Sequence, residues 1–582
     1  MLHELALYAE KNHLSLPPGF KAKTSRWTVL LGDDGRLISV DKDQMDFPIC
    51  PDLSQPELIA GGKTRSQFLV ETISVVLGTG AKQKEADKHR FFIDMFRDAT
   101  SHELRLGLCA DLLENPRDIS LIQATLTTQK AKPIDKITFR VGETYLVNTD
   151  TWHRWWQEFR SSLASVGSDN RPAMRCLMSG KAVTPAEKHF KIMGLSSVGG
   201  QSAGSVLVGF DKDAFSSYGL KQSLNAACSE EAAAAYRNAL EHLMKKAPKP
   251  IAGALFLHWY KEPLPAEDDL LDLVEFGANN EGDALLQASR LLAAVRRGDY
   301  PQYLNNKYYI LQISGAGGRL MVRDWLEGDY IELVKSIGAW FDDLEVIRPL
   351  GNGASKAFKI TAAQLRMISH RKHEKISDSF NRINQELAPV MPRIWRSILQ
   401  GHPLPDAVAQ KSLLYIRSHL LAAEEDSNLD QIACSLLKAW YNRKLTGGEH
   451  RMNTAVNPNH PSPAYQAGRM MAVLALIQRK ALGDVGANVV QRYYASASST
   501  PALVLGRLIR QAQYHLDKME HGSAIWYEKK LQEISTKLGD GLPAAFQLEE
   551  QTLFALGYYQ QRADMFARKS DREANEAKEG EE

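Results

Sequence analysis

The sequence predicts an α+β protein: a mixed α/β N-terminal region followed by an all-helical C-terminal bundle. Three observations predict it. Up to about residue 345, short apolar runs bounded by turn residues alternate with helical periods. Beyond about residue 360 the strand signals vanish and helical periodicity continues. The chain has 582 residues, 44% hydrophobic and 24% charged, which is the balance of a globular protein with several domains and excludes wholesale disorder.

The elements follow in order. Leu2, Leu5 and Tyr8 recur at helical spacing over residues 2–12, and Pro17-Pro18-Gly19 ends that helix. Arg26–Leu31 and Arg36–Val40 read as strands around the turn Asp33-Asp34-Gly35, a hairpin. Helices are expected at Ser66–Leu77, Asp87–Thr100, Thr151–Leu163 and Glu230–Lys245. Strands are expected at Lys136–Phe139, Glu143–Asn148, Ser205–Phe210, Ala252–Trp259, Tyr308–Ser314 and Arg319–Trp325. The late helices are Ala362–Arg371, Ile376–Glu386, Met391–Leu399, Asp406–Ala423, Asn428–Lys444, Tyr465–Ala481, Val485–Ala495, Ser499–Leu516, Ser523–Leu538 and Leu548–Arg568.

This pattern divides the chain into an α/β region over 1–345, with a possible subdomain break near 130–150. A basic helical region over 346–450 and a helical bundle over 451–568 follow. The acidic tail 569–582 lacks apolar residues and reads as disordered. Charge divides at the same place. Residues 1–345 carry 40 basic and 45 acidic side chains, and residues 346–582 carry 31 and 24. A basic C-terminal part permits a polyanionic partner.

Several chemistries lack their sequence marks. The five cysteines are widely spaced, with no C-x-x-C pair, so neither a zinc ribbon nor a disulfide framework is expected. The first twenty residues do not form a signal peptide, and no run of about 18 apolar residues could span a bilayer. A cytoplasmic protein without membrane contact is expected. There is no G-x-x-x-x-G-K-[ST] loop. Gly199-Gly200-Gln201-Ser202-Ala203-Gly204 precedes a strand, whereas a dinucleotide loop follows one and opens a helix. Those glycines read as a flexible turn, or as bare backbone able to approach a nucleic-acid groove. His370 and His373 lie among Arg371, Lys372 and Glu374 without the H-E-x-x-H order, and read as a solvated basic face. No G-x-S-x-G elbow occurs. No catalytic residue, metal ligand or cofactor is expected.

Basic segments are more informative. Ten Lys or Arg lie between Arg348 and Arg396, interrupted only by Glu374, Asp378 and Glu386. Such a run can neutralise phosphates, with Lys356, Lys359, Arg366, Arg371, Lys372 and Lys375 as candidates, or it is simply a solvated face. Gly61-Gly62-Lys63-Thr64-Arg65 precedes an expected helix, where backbone N–H groups favour an anion, making Lys63 and Arg65 further phosphate candidates. The aromatic pairs Trp155-Trp156, Trp259-Tyr260, Tyr308-Tyr309, Tyr493-Tyr494 and Tyr558-Tyr559 could stack on bases, but most are expected in the core.

Several stretches together resemble one family, the large subunit of the type I-C CRISPR surveillance complex, Cascade. They include AGGKTRSQFLVE, RCLMSGKAV, GQSAGSVLVGFDKDAFSSYGLKQSLNAACSEEAAAAYRNALEHLM, YYILQISGAGGRLMVRDWLEG, SPAYQAGRMMAVLALIQRKA and RYYASASSTPALVLGRLIRQAQYHL. The similarity covers nearly the whole chain, in order, and no single short motif carries it. The resemblance implies a non-enzymatic subunit that recognises the protospacer-adjacent motif in double-stranded DNA, promotes R-loop formation and recruits a helicase-nuclease. It implies as partners the backbone subunit, the 5′-handle-binding subunit and the small subunit carrying the CRISPR RNA. It also implies a small subunit translated from within the same gene, for which Met452, Met470 and Met471 are possible starts and Met452 is favoured. Within the matched stretches, Gln201, Lys221, Gln222 and Asn225 are the candidate motif readers. Gln and Asn can pair with base edges, and Lys can bind acceptors in either groove.

Two rival readings differ in what they require. A nuclease needs clustered carboxylates for metal ions. Glu267, Asp268, Asp269 and Asp272 cluster, but read as solvated surface. A structural adaptor would use the basic segment to hold RNA or protein instead of target DNA.

Overall fold

The computed structural model describes residues 1–54, 58, 64–79, 83–163, 172–216, 218–247, 250–271, 281–297, 302–355, 358, 360–368, 375–422, 429–445, 451–483, 488–539 and 541–567. The fold is α+β, with mixed sheets in the N-terminal region and mostly helices after it. Contacts group the chain into two units, Met1–Pro248 with Ile313–Val322, and Lys249–Gln312 with Arg323–Glu582. The change of composition near residue 345 is therefore a change of secondary structure inside the second unit.

In the first unit, strand Trp27–Leu31 pairs antiparallel with Leu37–Asp41, as the hairpin signal predicts. It also pairs parallel with Lys136–Val141, Trp27 opposite Ile137 and Leu31 opposite Val141. A parallel pair needs a crossover. Helices Gln83–Ala99, Arg105–Glu114 and Pro116–Thr128 lie in it. The last two were not expected from apolar periodicity, although Asn115-Pro116 announces one. The Asn115 side chain accepts from the Arg117 N–H at 3.0 Å, and Pro116 takes the first helical position. Trp155 and Trp156, on helix His153–Leu163, pack with Trp152 around Phe68 at ring separations of 5.0–5.8 Å. The Trp156 indole donates to the Gly19 carbonyl at 2.7 Å. This tryptophan pair is core.

Two expectations are corrected here. Ser66–Leu77 is not one helix, but strand Glu71–Thr72 followed by the single turn Ile73–Val76. Phe68, Leu69 and Val70 are consecutive and all buried, so the segment is covered on both sides, and an apolar run of that kind mimics a helical face. The strand expected over Ser205–Phe210 shrinks to Ser205–Val206. Val206 pairs parallel with Arg319, the first residue of the strand it meets, and the chain then bends at Leu207 and Val208, which ends the ladder.

A buried ion pair joins the two parts of this unit's sequence. Arg237, on helix Glu230–Lys246, meets Asp52 at 3.2 Å with both side chains almost fully buried, and its guanidinium lies 4.2 Å from the Phe190 ring. Burial pushes the Asp52 carboxyl up, yet Arg237 followed by Lys23 and Lys21 hold it well below the usual carboxylate range.

In the second unit, strand Leu255–Tyr260 lies beside the base of the hairpin formed by Lys307–Ala316 and Arg319–Asp329. Trp259 stacks on Tyr309, and Tyr309 on Trp325. Helix Tyr330–Leu344, also unexpected, follows directly. The late helices form close to their expected bounds, at Ile360–Arg366, Ile376–Glu386, Met391–Gln400, Asp406–Ala422, Gln431–Lys444, Pro463–Leu482, Val489–Ala497, Pro501–Leu516, His521–Lys537 and Leu548–Phe566. Pro463–Leu482 and Leu548–Phe566 cross at two glycines. A Cβ on Gly468 would overlap the Phe554 carbonyl, and one on Gly557 the Tyr465 carbonyl. Lys438 is buried and donates to the carbonyls of Asp342 and Asp343 at 3.1 and 3.4 Å, capping the last turn of Tyr330–Leu344. Burial pushes its pKa from 10.5 down to about 8.

Two measurements test these buried charges. Arg237→Met strands the Asp52 carboxylate and is expected to cost about 3–5 kcal/mol in chemical denaturation. The double variant Asp52→Leu/Arg237→Met is expected to recover most of that loss. Between pH 8 and 10.5 the unfolded chain binds the Lys438 proton and the folded chain releases it, so this group raises stability as pH rises. Relative to Lys438→Met, the wild type is expected to gain at most about 1.4 kcal/mol per pH unit across that window.

Candidate nucleic-acid interface

Residues 199–226 of the first unit form a loop with little regular structure, supported by the hairpin tip 315–319. The support is backbone on backbone. Gly200 N–H donates to the Leu195 carbonyl at 2.8 Å, a Cβ on Gly315 would overlap the Gly200 backbone, and a Cβ on Gly199 would stand 2.9 Å from the Gly315 carbonyl oxygen. Val206 N–H then donates to the Gly318 carbonyl at 2.9 Å. The Gly199-Gly200 pair is thus used for close internal packing, and its bare backbone faces the hairpin tip.

Gln201 follows this contact and is exposed. The Gly204 N–H closes a turn onto the Gln201 carbonyl at 3.0 Å. The Gln201 side-chain amide lies over Gly318, close enough that a Cβ there would come 3.2 Å from Oε1. Arg319 is exposed beside it, with its guanidinium 5.6 Å from the Phe215 ring. Sequence reasoning missed Arg319. The string Gly315-Ala316-Gly317-Gly318-Arg319 marks a tight tip ending in a cation, and is the signal that could have found it.

Three residues beyond Phe215, Tyr218 is fully exposed with φ 54°, and Gly219 has φ 73°. Lys221 is exposed, and Gln222 is half-buried with φ 49°. Left-handed backbone at a non-glycine residue costs about 1–2 kcal/mol, and such strain collects at functional sites. The turn is held by Asn225, whose Nδ2 donates to the carbonyls of Leu220 and Gln222, each at 3.1 Å. Ser223 anchors it from below, donating to the Glu187 carbonyl at 2.7 Å. The structure therefore brings Lys221, Gln222 and Asn225 into one turn and sets Gln201 on the hairpin tip, where Arg319 also meets Phe215. Asn225 spends its amide donors on the turn itself.

The phosphate candidates fare differently. Lys63, Lys356, Lys359, Arg371 and Lys372 lie outside the described residues, as do His370 and His373. Arg65 is half-buried and donates to the Leu58 carbonyl at 2.6 Å, and the helix whose N-terminus it was to precede is absent. Arg366 forms a bidentate pair with Asp430, at 3.1 and 3.0 Å. Arg396 pairs in the same way with Asp324, and Arg382 pairs with Glu386 at 3.2 Å. Lys375 is exposed at the start of Ile376–Glu386. Counting charges along the local sequence overstated the free positive charge, because Asp430 and Asp324 reach the run from distant chain.

The acidic cluster is only in part the solvated surface expected: Glu267 is exposed, but Asp268 and Asp269 are held by partners. Asp268 is buried and accepts from Gln287 and from Arg290, the latter at 2.8 Å. Asp269 accepts from the Tyr260 hydroxyl at 2.7 Å. Asp272 lies outside the described residues. Among the described residues, no group of three or more His, Cys, Asp or Glu is placed to hold a metal ion, and no helix is long and apolar enough to cross a membrane.

With this geometry in hand, the family comparison is decisive. The model of the family described as CRISPR-associated protein (Cas_Csd1) matches residues 2–566. The chain belongs to that family. The match takes in the loop 199–226, the hairpin tip and the whole late helical region. No curated protein matches the chain.

The glycine contact gives a direct test of the loop support. Gly315→Ala is expected to lower stability by about 1–3 kcal/mol, because the added carbon meets fixed backbone. Gly317→Ala, with nothing within 4 Å of the new carbon, is expected to cost only the left-handed penalty of about 1–2 kcal/mol, and to leave the loop in place. Hydrogen exchange at residues 199–206 distinguishes the two.

Proposed function

We propose that this chain is the non-catalytic large subunit of an RNA-guided type I-C surveillance complex. In this reading it recognises the short motif flanking the target in double-stranded DNA, promotes R-loop formation and recruits the helicase-nuclease. Family membership supports a role in CRISPR defence. The observation that carries the finer reading is a pair of exposed elements on the first unit, the strained turn Tyr218–Asn225 and the glycine-braced hairpin tip. Exposed Gln201, Lys221 and Arg319 stand there on a backbone braced by glycine contacts and by Asn225. RNA-guided systems leave sequence reading to base pairing and give the protein only the short motif and duplex shape. A few amide and cationic side chains on a rigid support suffice for that task.

Roles follow from placement. Gln201 and Gln222 read base edges, Lys221 and Arg319 bind acceptors or phosphates, and Asn225 positions the turn. Partner subunits that carry the CRISPR RNA would hold the chain in the complex. The two crossing helices at Gly468 and Gly557 both lie within a product begun at Met452, which accords with a separately translated small subunit.

The test is target binding by the complex reconstituted with this chain, using two duplexes that differ only in the flanking motif, at one salt concentration. The expected outcome is at least about tenfold discrimination that requires the chain. Gln201→Ala is expected to reduce that discrimination by about 1–3 kcal/mol. Lys221→Ala is expected to weaken both duplexes alike if it meets phosphate, and to lower the salt dependence. Binding that needs the chain but ignores the motif would replace this reading with the structural adaptor.

A further inference from the structure

A second candidate site lies in the second unit, away from the loop just described. A cavity of about 260 Å³, open to solvent, is lined by Gln478, Val489, Arg492, Tyr493, Gln511, Tyr514 and His515. Its walls come from the end of Pro463–Leu482, the helix Val489–Ala497 and the last turns of Pro501–Leu516. The volume is a little under the ~300 Å³ at which pockets for drug-sized ligands begin, which suits a smaller planar group.

The lining has a consistent chemistry. Tyr494 turns inward onto Phe554 and Tyr558, while its neighbour Tyr493 lines the cavity. Tyr514 is 67% exposed, an unusual cost for a large ring with no partner to cover it. Arg507 stands over the Tyr493 ring at 5.8 Å. Arg510 lies one turn before Tyr514 on the same helix face, and Arg492 is exposed at the rim. Among the described residues, none of Arg492, Arg507 and Arg510 has an acidic partner within ion-pair distance. Two polar groups inside also lack partners among the described residues. His515 Nδ1 is buried without a hydrogen bond. Gln478 accepts the Val489 N–H through Oε1 at 2.7 Å, which leaves its Nε2 to the cavity.

Two tyrosine rings, unpaired arginines at the rim and unsatisfied polar atoms within make up the parts of a stacking platform on a cationic track. We propose that this cavity binds one unstacked base of a single-stranded nucleic acid, with Tyr493 and Tyr514 against the base and Arg492, Arg507 and Arg510 along the phosphates. Gln478 Nε2 offers a donor to the base edge, and every base carries acceptors there, so the site accepts different bases. The class of ligand rests on the reading that the chain meets nucleic acid, but the site is separate from the motif-reading loop.

The experiment uses the full chain, a fluorescent single-stranded oligothymidylate and an abasic strand of equal length, at one salt concentration. The wild type is expected to favour the base-bearing strand by about tenfold. Tyr514→Ala is expected to bring the two strands to parity, and Tyr514→Phe to preserve the preference. Because Tyr514 is exposed, these variants leave the core unchanged. Arg492→Ala is expected to weaken both strands equally. A wild type that binds the abasic strand as well as the other, or binds neither, overturns the proposal, as does a Tyr514→Ala variant that keeps the preference. Duplex motif discrimination is read on the same variants and is expected to stay intact, so failure here is distinguishable from failure of the motif reading.

Discussion

Two helices that touch through their backbones set the terms for the rest of the second unit. Where Pro463–Leu482 crosses Leu548–Phe566, Gly468 and Gly557 remove every side chain from the contact point. The approach is close enough to bury polar side chains on either side of it, and Tyr465, Arg469, Gln560 and Gln561 all find partners. Tyr465 donates to Gln560 at 2.6 Å, and Gln560 donates to the Asn453 carbonyl at 2.7 Å. Arg469, fully buried, reaches Gln561, Gln466 and Glu533, each at 2.8 Å. A buried charge is tolerated only when it is satisfied in this way. Around the pair, Pro463–Leu482 packs against the helices that wall the cavity, and Leu548–Phe566 packs against Gln431–Lys444. The position of Tyr493 and Tyr514 is thus inherited from a glycine crossing on the inner side of the same helix.

The first unit uses the same device for a different end. At Gly199, Gly200 and Gly315 the close approach fixes an irregular loop instead of two helices. A loop of this length would ordinarily move freely, and side chains on it would lose conformational entropy on meeting any partner. Bracing the loop at Gly200, Ser223 and Asn225 removes part of that cost before binding. Gln201 and Lys221, which remain exposed, are each carried on backbone braced in this way.

How much of this was legible in the sequence depends on whether a feature is local. The hairpin around Gly35 and the late helices were, because turn chemistry and a 3.6-residue period are written in neighbouring residues. Ile376–Glu386 matches its expected bounds at both ends. Helix Tyr330–Leu344 escaped notice because the strand Arg319–Asp329 runs straight into it with no turn residues between them. The free charge of the basic run was misjudged because Asp430 and Asp324 come from elsewhere in the chain. For the proposed site, the matched stretches led to the loop, but Arg319 was not singled out, because it joins that loop only through the fold. Nor could they tell that Asn225 is occupied with its own turn. Glycine was ambiguous throughout: Gly199-Gly200 reads as flexibility in one dimension and proves to be a packing contact in three.

The hairpin Lys307–Asp329 carries one more consequence. Its tip, Ile313–Val322, groups with the first unit, while its base groups with the second. Neither unit is therefore encoded by one uninterrupted stretch of gene. A stop codon after Pro248 would remove the strand that Val206 pairs with, and a start at Lys249 would carry that strand away from its partner. Recombination between relatives can exchange the late helices with a single crossover, but exchanging the first unit takes a second, ten-residue insert carried along from the middle of the chain. Changes in Gln201 or Lys221 are then tied in inheritance to changes in Gly315 and Arg319, about a hundred codons downstream.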